Sequence, residues 1–295
     1  YLATFPTKVR AMVLDGIDLP QDPVTSAHDQ AVGFEHAVES YLADCQSQGS
    51  DCGFGNGNPQ AAFGALKTQL DGGARIPADK GCSALASAVP ERKGSVGIGE
   101  FDTAVAQAMY DKQLWPILSN AIGDATSASP DAGCLLALRD YYNGIQPDGS
   151  LSHLLDAFTA ISCADQAPRA QNPLGDRPDL VAAWSQELPL VGAQFAEGLP
   201  GCWMYPPALH AATPFTAGQF QGIPPVVLVG NTGDPATPFA HAQAANALLP
   251  GSVLVTYNST EHTVFLSHDS KCVDDPLVTY VTTRKLPSAG LVCQP

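Results

Sequence analysis

The chain has 295 residues, of which 45% are hydrophobic and 15% are charged, and its formal net charge is −15 at pH 7. A chain of this length can bury one large core or two smaller ones, and no apolar run is long enough to cross a membrane as a helix. With 14 lysines and arginines against 29 acidic residues, the composition argues against nucleic acid and anionic membrane surfaces as partners, because phosphate contacts require a basic face.

Eight cysteines are the next constraint on the class of protein. Their number is even, and no pair has the C-x-x-C or Cys/His spacing of a zinc or iron–sulfur site. The pattern favours disulfide bonds in an oxidising compartment over reduced thiols in the cytosol, so we expect a secreted or cell-envelope protein. Two pairs would close short loops, but spacing does not fix connectivity. The candidate pairs are Cys272 with Cys293, Cys45 with Cys52, Cys163 with Cys202, and Cys82 with Cys134.

The first residues predict one strand of a parallel sheet. Residues 1–6 look like the end of an apolar helix stopped by proline, as though the chain began inside a fold. The run from Val9 to Leu14 is apolar apart from Arg10 and leads into the turn residues Asp15 and Gly16. Continuous rather than alternating hydrophobicity is typical of a strand that is covered on both faces.

Between residues 22 and 211 the pattern is helical, and strands are hard to find. Apolar residues recur three and four positions apart, and Pro, Gly, Asn and Asp separate the periodic segments. The glycine-rich segment 94–99 follows charged residues rather than a strand, which favours the entry loop of a helix over a nucleotide-binding loop. The predicted helices span 31–41, 61–69, 102–110, 114–122, 134–142, 151–161 and 180–195.

The end of the chain alternates between strand and helix. Continuous apolar runs predict strands over 225–230 and 252–257. Between them, Thr237 at the N-cap and the proline after it predict a helix over 239–249. A strand–helix–strand unit of this kind makes a parallel pair of strands. A last helix is expected over 273–284.

Two titratable residues follow these strands. Asp234 comes after the first strand and His262 after the second, and the carboxyl ends of parallel strands meet at one edge of a sheet. A hydrolase triad needs this pair, because the carboxylate fixes the imidazole tautomer and the imidazole takes a proton from the nucleophile. Their order along the chain matches the Ser…Asp…His order of α/β-hydrolases. The sequence therefore predicts the acid and the base of a triad.

Other residues compete for these roles. Asp15 also follows a strand and could supply the acid, although the strand before Asp234 directly adjoins the one that bears the histidine. In a purely structural interpretation, Asp234 would stabilise the start of the helix that follows it through the helix dipole. His268 is the nearest rival of His262, and most single histidines have no catalytic role.

These residues resemble a known family. The segment GNTGDPATP at 230–238, the pair Glu261-His262 and the two last cysteines are similar to exported bacterial α/β-hydrolases of the tripeptidyl-aminopeptidase type. These enzymes are relatives of the proline iminopeptidases and include mycobacterial envelope serine proteases. Residues 1–6 and 9–16 resemble the stretch that follows the nucleophile elbow of the family.

The resemblance implies an incomplete α/β-hydrolase fold. Residues 1–21 and 212–295 would form its last parallel strands and flanking helices, and residues 22–211 a large helical lid insertion. The nucleophile of the family lies in a Gly-x-Ser-Tyr-Gly elbow that would precede the chain, and no Gly-x-Ser-x-Gly occurs in it. Ser95 is the nearest internal candidate, but it lacks a strand–turn–helix context. We therefore expect the chain to depend on a serine-bearing N-terminal part and to be inactive alone.

The resemblance also implies an exported aminopeptidase that releases short peptides through an acyl-enzyme, with no cofactor. An aminopeptidase needs a carboxylate for the α-ammonium of its substrate, and Asp165, within the family-like stretch 161–165, is the candidate. A surface aspartate that caps a loop is the structural alternative. Trp184, Trp203 and Tyr205 could line an apolar pocket or belong to the core. An esterase of the same fold and an inactive peptide-binding fragment are the alternative functions.

Overall fold

The computed structural model describes residues 1–19, 21–165, 177–199 and 215–295, without the side chain of Asp165. The chain divides into two compact units. Of the described residues, those in 1–34 and 215–295 belong to the first, with Asp165, and those in 35–164 and 177–199 belong to the second. Within the described ranges, no helix combines the length and the hydrophobicity that a bilayer span requires.

The secondary structure elements are numbered in chain order over the described residues. The strands are β1 (Val13–Asp15), β2 (Ile76–Ala78), β3 (Gly94–Val96), β4 (Val227–Asn231), β5 (Val253–Tyr257) and β6 (Val292–Cys293). The helices are α1 (Pro23–Gln48), α2 (Pro59–Asp71), α3 (Ile98–Met109), α4 (Trp115–Ala125), α5 (Gly133–Tyr142), α6 (Leu154–Asp165), α7 (Pro178–Glu187), α8 (Gly192–Gly198), α9 (Phe239–Leu248) and α10 (Lys271–Thr283).

The first unit contains a parallel sheet with the strand order β1–β4–β5–β6. Each neighbouring pair is parallel, and Val229 in β4 lies opposite Asp15 on one side and Val255 on the other. Strand β4, helix α9 and strand β5 thus form the predicted strand–helix–strand unit, and the α/β fold class is confirmed.

The sheet is buried on both faces, which explains the continuous hydrophobicity of its central strand. Val227 and Val229 pack in the cluster that includes residues of α10, whereas Val226 and Leu228 pack in the cluster that includes residues of α9. All four side chains are fully buried. Burying a valine or leucine stabilises a fold by about 1.5–3 kcal/mol, so both faces contribute to holding β4 in place.

Tyr280 fixes helix α10 to the strands. Its hydroxyl donates to the carbonyl oxygen of Pro225 at 2.8 Å and accepts from the backbone N–H of Met12 at 3.0 Å. These two residues lie just before β4 and β1, so one phenol on α10 binds the entry of both strands. Tyr280 thus anchors these two strands at their amino ends, opposite the edge where their carboxyl ends lie.

The second unit is mainly helical. Helices α2 to α8 accompany the short antiparallel pair β2–β3, in which Ile76 lies opposite Val96. Its largest buried side chains include Phe63, Phe101 and Leu118. The glycine-rich segment 94–99 contains β3 and leads into α3, so it is the helix entry that the sequence predicts.

The structure differs from the prediction in two places in the second unit. The strands β2 and β3 lie where the pattern indicated helices and loops alone, because each is only three residues long. The predicted helix over 180–195 is broken into α7 and α8. Gly192 makes the break possible, because a Cβ there would lie 2.2 Å from the carbonyl oxygen of Trp184.

Each of the two units contains disulfide bonds. Cys272 and Cys293 are bonded in the first unit, and Cys45–Cys52 and Cys82–Cys134 are bonded in the second. Cys163 is also disulfide-bonded, and its predicted partner Cys202 lies outside the described residues. No described cysteine is free.

A histidine with two carboxylate partners joins three segments of the first unit. His241 in α9 has its Nδ1 2.6 Å from Asp18, which follows β1, and its Nε2 3.1 Å from Asp29 in α1. The Gln21 amide also donates to Asp29 at 3.0 Å. The hydrogen bond to Asp18 raises the pKa of His241 above its usual 6.5, burial opposes the rise, and the bond to Asp29 adds to it.

Removing the bond between α10 and β6 should destabilise the sheet. We expect the double substitution Cys272→Ser with Cys293→Ser to lower the free energy of unfolding by about 3 kcal/mol, because the unfolded chain has more conformational entropy without the crosslink. Chemical denaturation without reductant measures the change. The pair Cys45→Ser with Cys52→Ser, whose closed loop is shorter, is the control and should cost less. An unchanged midpoint for the first variant would contradict the prediction.

The His241 cluster predicts a stability that depends on pH. A folded-state pKa above the unfolded value stabilises the fold fully below pH 6.5, and the contribution is lost as pH rises through the folded pKa. We expect His241→Gln to cost about 1–2 kcal/mol of unfolding free energy near pH 5.5 and clearly less near pH 8.5. His153→Gln is the control, because the side chain of His153 is 93% exposed. An equal cost at both pH values would show that protonation of His241 does not matter.

Candidate active site

Asp234 and His262 meet beyond the carboxyl ends of β4 and β5. Nδ1 of His262 lies 2.9 Å from one carboxylate oxygen of Asp234 and 3.1 Å from the other. The Asp234 side chain is 1% exposed and the His262 side chain 28%. A carboxylate only accepts, so Nδ1 of His262 carries the proton and Nε2 is the basic nitrogen of the ring.

Four further donors hold the Asp234 carboxylate. One oxygen accepts from the backbone N–H groups of Ala236 and Thr237, both at 2.9 Å. The other accepts from the Thr237 hydroxyl at 3.1 Å and from the backbone N–H of Thr263 at 3.3 Å. With this many partners the carboxylate has a single orientation, which in turn orients the imidazole.

Thr237 has a different role from the one that the sequence predicts. Helix α9 begins at Phe239 with Pro238 in the N-cap position, and no side chain caps it. The prediction that Thr237 is the N-cap was therefore wrong. Its hydroxyl donates to Asp234 instead and lies 3.4 Å from Nδ1 of His262. Asp234 also contributes to the start of α9, as the purely structural interpretation expects, because its carboxylate accepts from two backbone N–H groups just before this helix.

Gly16 makes room for the imidazole. Its φ is +67°, a conformation that side chains rarely adopt. A Cβ at this position would lie 3.2 Å from Cε1 of His262 and 2.9 Å from Cγ2 of Thr263. The turn after β1 therefore has to be glycine for the histidine loop to approach it.

Asp15, the alternative acid, binds the backbone after His262, and among the described residues it forms no hydrogen bond with the imidazole. One of its oxygens accepts from the backbone N–H of Val264 at 2.9 Å and of Phe265 at 2.8 Å. Burial raises the pKa of Asp15, and the two backbone bonds oppose the rise. Of the two aspartates, Asp234 is the one within hydrogen-bond distance of Nδ1.

Asn231, the last residue of β4, binds the loop that carries His262, and the sequence analysis did not predict this contact. Its amide donates to the carbonyl oxygens of Glu261 at 2.6 Å and Thr263 at 2.9 Å, which flank His262. The residue is 1% exposed. A polar residue at the end of an otherwise apolar buried strand is the signal that could have revealed it.

The remaining candidates have other surroundings. His268 faces Glu261, 3.7 Å away, and Glu261 accepts from the Ser259 hydroxyl at 2.8 Å. Ser95 lies in β3 of the second unit, where its hydroxyl accepts from Arg75 at 2.8 Å. Trp184 is buried in α7.

Three of the predicted positions fall outside the description of the structure. Asp165 is the last residue of α6, and its side chain is not among the described groups. Trp203 and Tyr205 lie outside the described residues. The predicted ammonium site and the predicted apolar pocket therefore stay predictions.

Comparison with known proteins finds hydrolases. Residues 188–293 match the model of a family described as "TAP-like protein". The chain is 33% identical to "Carboxylesterase B" of Mycobacterium tuberculosis, over 100% of this chain and 54% of the relative. It is 30% identical to "Serine protease Hip1" of the same organism, over 99% and 55%. It is 24% identical to "Tripeptidyl aminopeptidase" of Streptomyces lividans, over 100% and 52%.

The chain thus spans about half the length of the curated relatives it matches. The family match includes β4, β5 and β6, and with them both Asp234 and His262.

Proposed function

From its relation to the TAP-like α/β-hydrolases, we propose that this chain carries the acid and the base of a serine peptidase that releases short peptides. The observation that carries the proposal is the contact between the buried Asp234 carboxylate and Nδ1 of the partly exposed His262. The names of its relatives, a serine protease and a tripeptidyl aminopeptidase among them, support the same reaction class.

The proposed chemistry follows from the orientation of the imidazole. Nε2 of His262 takes the proton of a serine hydroxyl as the serine oxygen attacks the scissile carbonyl carbon. The same nitrogen then gives this proton to the leaving amine, and the acyl-enzyme forms. Water hydrolyses the acyl-enzyme by the same route, with His262 again as the base. Asp234 keeps the proton on Nδ1 and stabilises the imidazolium in each step.

The nucleophile is proposed to come from a serine-bearing N-terminal part of the hydrolase, outside this sequence. The chain contains no Gly-x-Ser-x-Gly, the turn that presents the serine in α/β-hydrolases. That the relatives are nearly twice as long supports this proposal. On its own the chain is then inactive, and turnover of chromogenic peptides or esters by the chain alone would reveal a nucleophile within it.

The substrate is proposed to be a peptide with a free N-terminus. Asp165 is the carboxylate proposed to receive its α-ammonium through charge-assisted hydrogen bonds. An esterase is the second candidate, because one relative is named a carboxylesterase. An extracytoplasmic location is proposed with either function, since the chain has disulfide bonds in both units.

The base can be tested in the complete protein with a fluorophosphonate probe that labels an activated serine. We expect His262→Ala to slow labelling by roughly a thousandfold, and Asp234→Asn to slow it by at least a hundredfold because the tautomer is no longer fixed. Rates are measured by in-gel fluorescence over time.

His268→Ala is the matched control, because this histidine lies in the same loop region and faces Glu261 instead of Asp234. It should label within about threefold of the wild type. Unchanged labelling of His262→Ala would remove His262 from the mechanism, and a wild type that never labels would favour a catalytically inactive peptide-binding protein.

The substrate class can be tested with paired substrates. For an aminopeptidase, we expect chromogenic tripeptides with a free amine to be cleaved at least about tenfold faster than their N-acetylated forms, because only the free amine pairs with a carboxylate. Asp165→Asn should raise KM for the free peptide and leave simple esters unaffected. Asp156→Asn, an exposed aspartate of the same helix, is the control. Equal rates for both peptides together with rapid ester hydrolysis would favour the esterase.

A further inference from the structure

We propose that Asn231 and Asp15 are positioning residues that fix the His262 loop from the ends of two adjacent strands. The proposal rests on the proposed function, in which His262 is the base. Among the described residues, the side chains of Asn231 and Asp15 form no hydrogen bond with the imidazole. Both act on the backbone of residues 261–265, from which the imidazole projects.

Asn231 holds the peptide group that precedes His262 and the one that follows Thr263. Its amide nitrogen has two protons, and the structure uses one for the carbonyl of Glu261 and the other for the carbonyl of Thr263. Because these carbonyls precede and follow His262, the direction in which its side chain leaves the backbone is set. The position of Asn231 is itself set by the register of β4, where it lies opposite Tyr257.

Asp15 holds the next turn of the same loop. One carboxylate oxygen accepts from the backbone N–H groups of both Val264 and Phe265. Asp15 ends β1, the neighbour of β4, so the donors of the loop are bound from one strand and its carbonyls from the next. The loop therefore cannot shift along either strand without breaking a pair of hydrogen bonds.

The backbone that these contacts hold is strained. Thr263 has φ of +60°, which is unfavourable for a β-branched residue. Such a conformation persists only where the surroundings over-determine it, and strain of this kind clusters at functional sites. Its N–H donates to Asp234, so the left-handed turn at Thr263 also brings the histidine loop to the acid.

Both positioning residues are themselves in unfavourable surroundings. The second carboxylate oxygen of Asp15, Oδ1, and the side-chain oxygen of Asn231 are buried with no hydrogen-bond partner among the described residues. Buried unsatisfied acceptors are uncommon, and an apolar side chain would avoid their cost. The polar groups at these two positions are therefore explained by what they do for the loop.

The test measures turnover and the histidine signal together in the complete protein. The variants are Asn231→Ala, Asp15→Ala and Asp15→Asn, which keeps an oxygen for the two backbone donors. Val255→Ala is the matched control, since Val255 is fully buried in the same sheet and its removal destabilises without touching the loop by a polar contact. The readouts are kcat, KM and the low-field proton resonance of the His262 Nδ1–H, assigned by its absence in His262→Gln.

We expect kcat of Asn231→Ala and Asp15→Ala to fall at least about tenfold with KM within about twofold, because substrate binding is intact and the base is misplaced. The low-field resonance should weaken or disappear in both. Asp15→Asn should restore kcat to within about threefold of the wild type and keep the resonance. Val255→Ala should keep both, although it unfolds at lower temperature.

The proposal is overturned if Asn231→Ala and Asp15→Ala behave like Val255→Ala in both readouts. Should Asn231→Ala fail to fold, the comparison of Asp15→Ala with Asp15→Asn decides in the same way. Normal fluorophosphonate labelling of His262→Ala would instead show that the proposed function is wrong. In that case the low-field resonance, which needs no turnover, still reports whether the two residues position the ring.

Discussion

The hydrogen bond between Asp234 and Nδ1 of His262 is the interaction on which the rest of this account depends. It exists because two parallel strands end at the same edge of one sheet, and because that sheet is buried on both faces. The acid is almost completely buried and the base is partly exposed. Asp234 is thus held inside the protein, whereas His262 remains partly accessible to a reacting group.

The contact also requires an unusual course of the chain around the histidine. Gly16 lets the turn after β1 approach the ring, and Thr263 adopts a left-handed conformation directly after it. Carbonyls and N–H groups of the loop are bound by side chains from β4 and β1. The sheet therefore does more than carry the two loops, since its strand ends determine how the histidine is presented.

Much of the first unit could be predicted because its physical signals are local. Strands β4 and β5 are continuous apolar runs, and α9 and α10 are flanked by proline, glycine and a change of polarity. The pairing of β4 with β5 followed from the helix between them. This pairing alone predicts that Asp234 and His262 lie at one edge of the sheet.

The details that failed depend on contacts between distant residues. The break between α7 and α8 arises where Gly192 lies against the backbone at Trp184, which helical periodicity does not reveal. Thr237 has the sequence context of an N-cap, but its hydroxyl is used by a carboxylate three residues earlier. The choice between Asp15 and Asp234 did not fail, because the strand before Asp234 adjoins the one that bears the histidine, and Asp234 lies 2.9 Å from Nδ1 of His262.

A crystal structure of the complete protein after reaction with a fluorophosphonate tests the central claim most directly. The account predicts a phosphonylated serine whose oxygen lies about 3 Å from Nε2 of His262, with Nδ1 still bound to Asp234. An adduct on a residue remote from His262, or an imidazole turned away from Asp234, would contradict it.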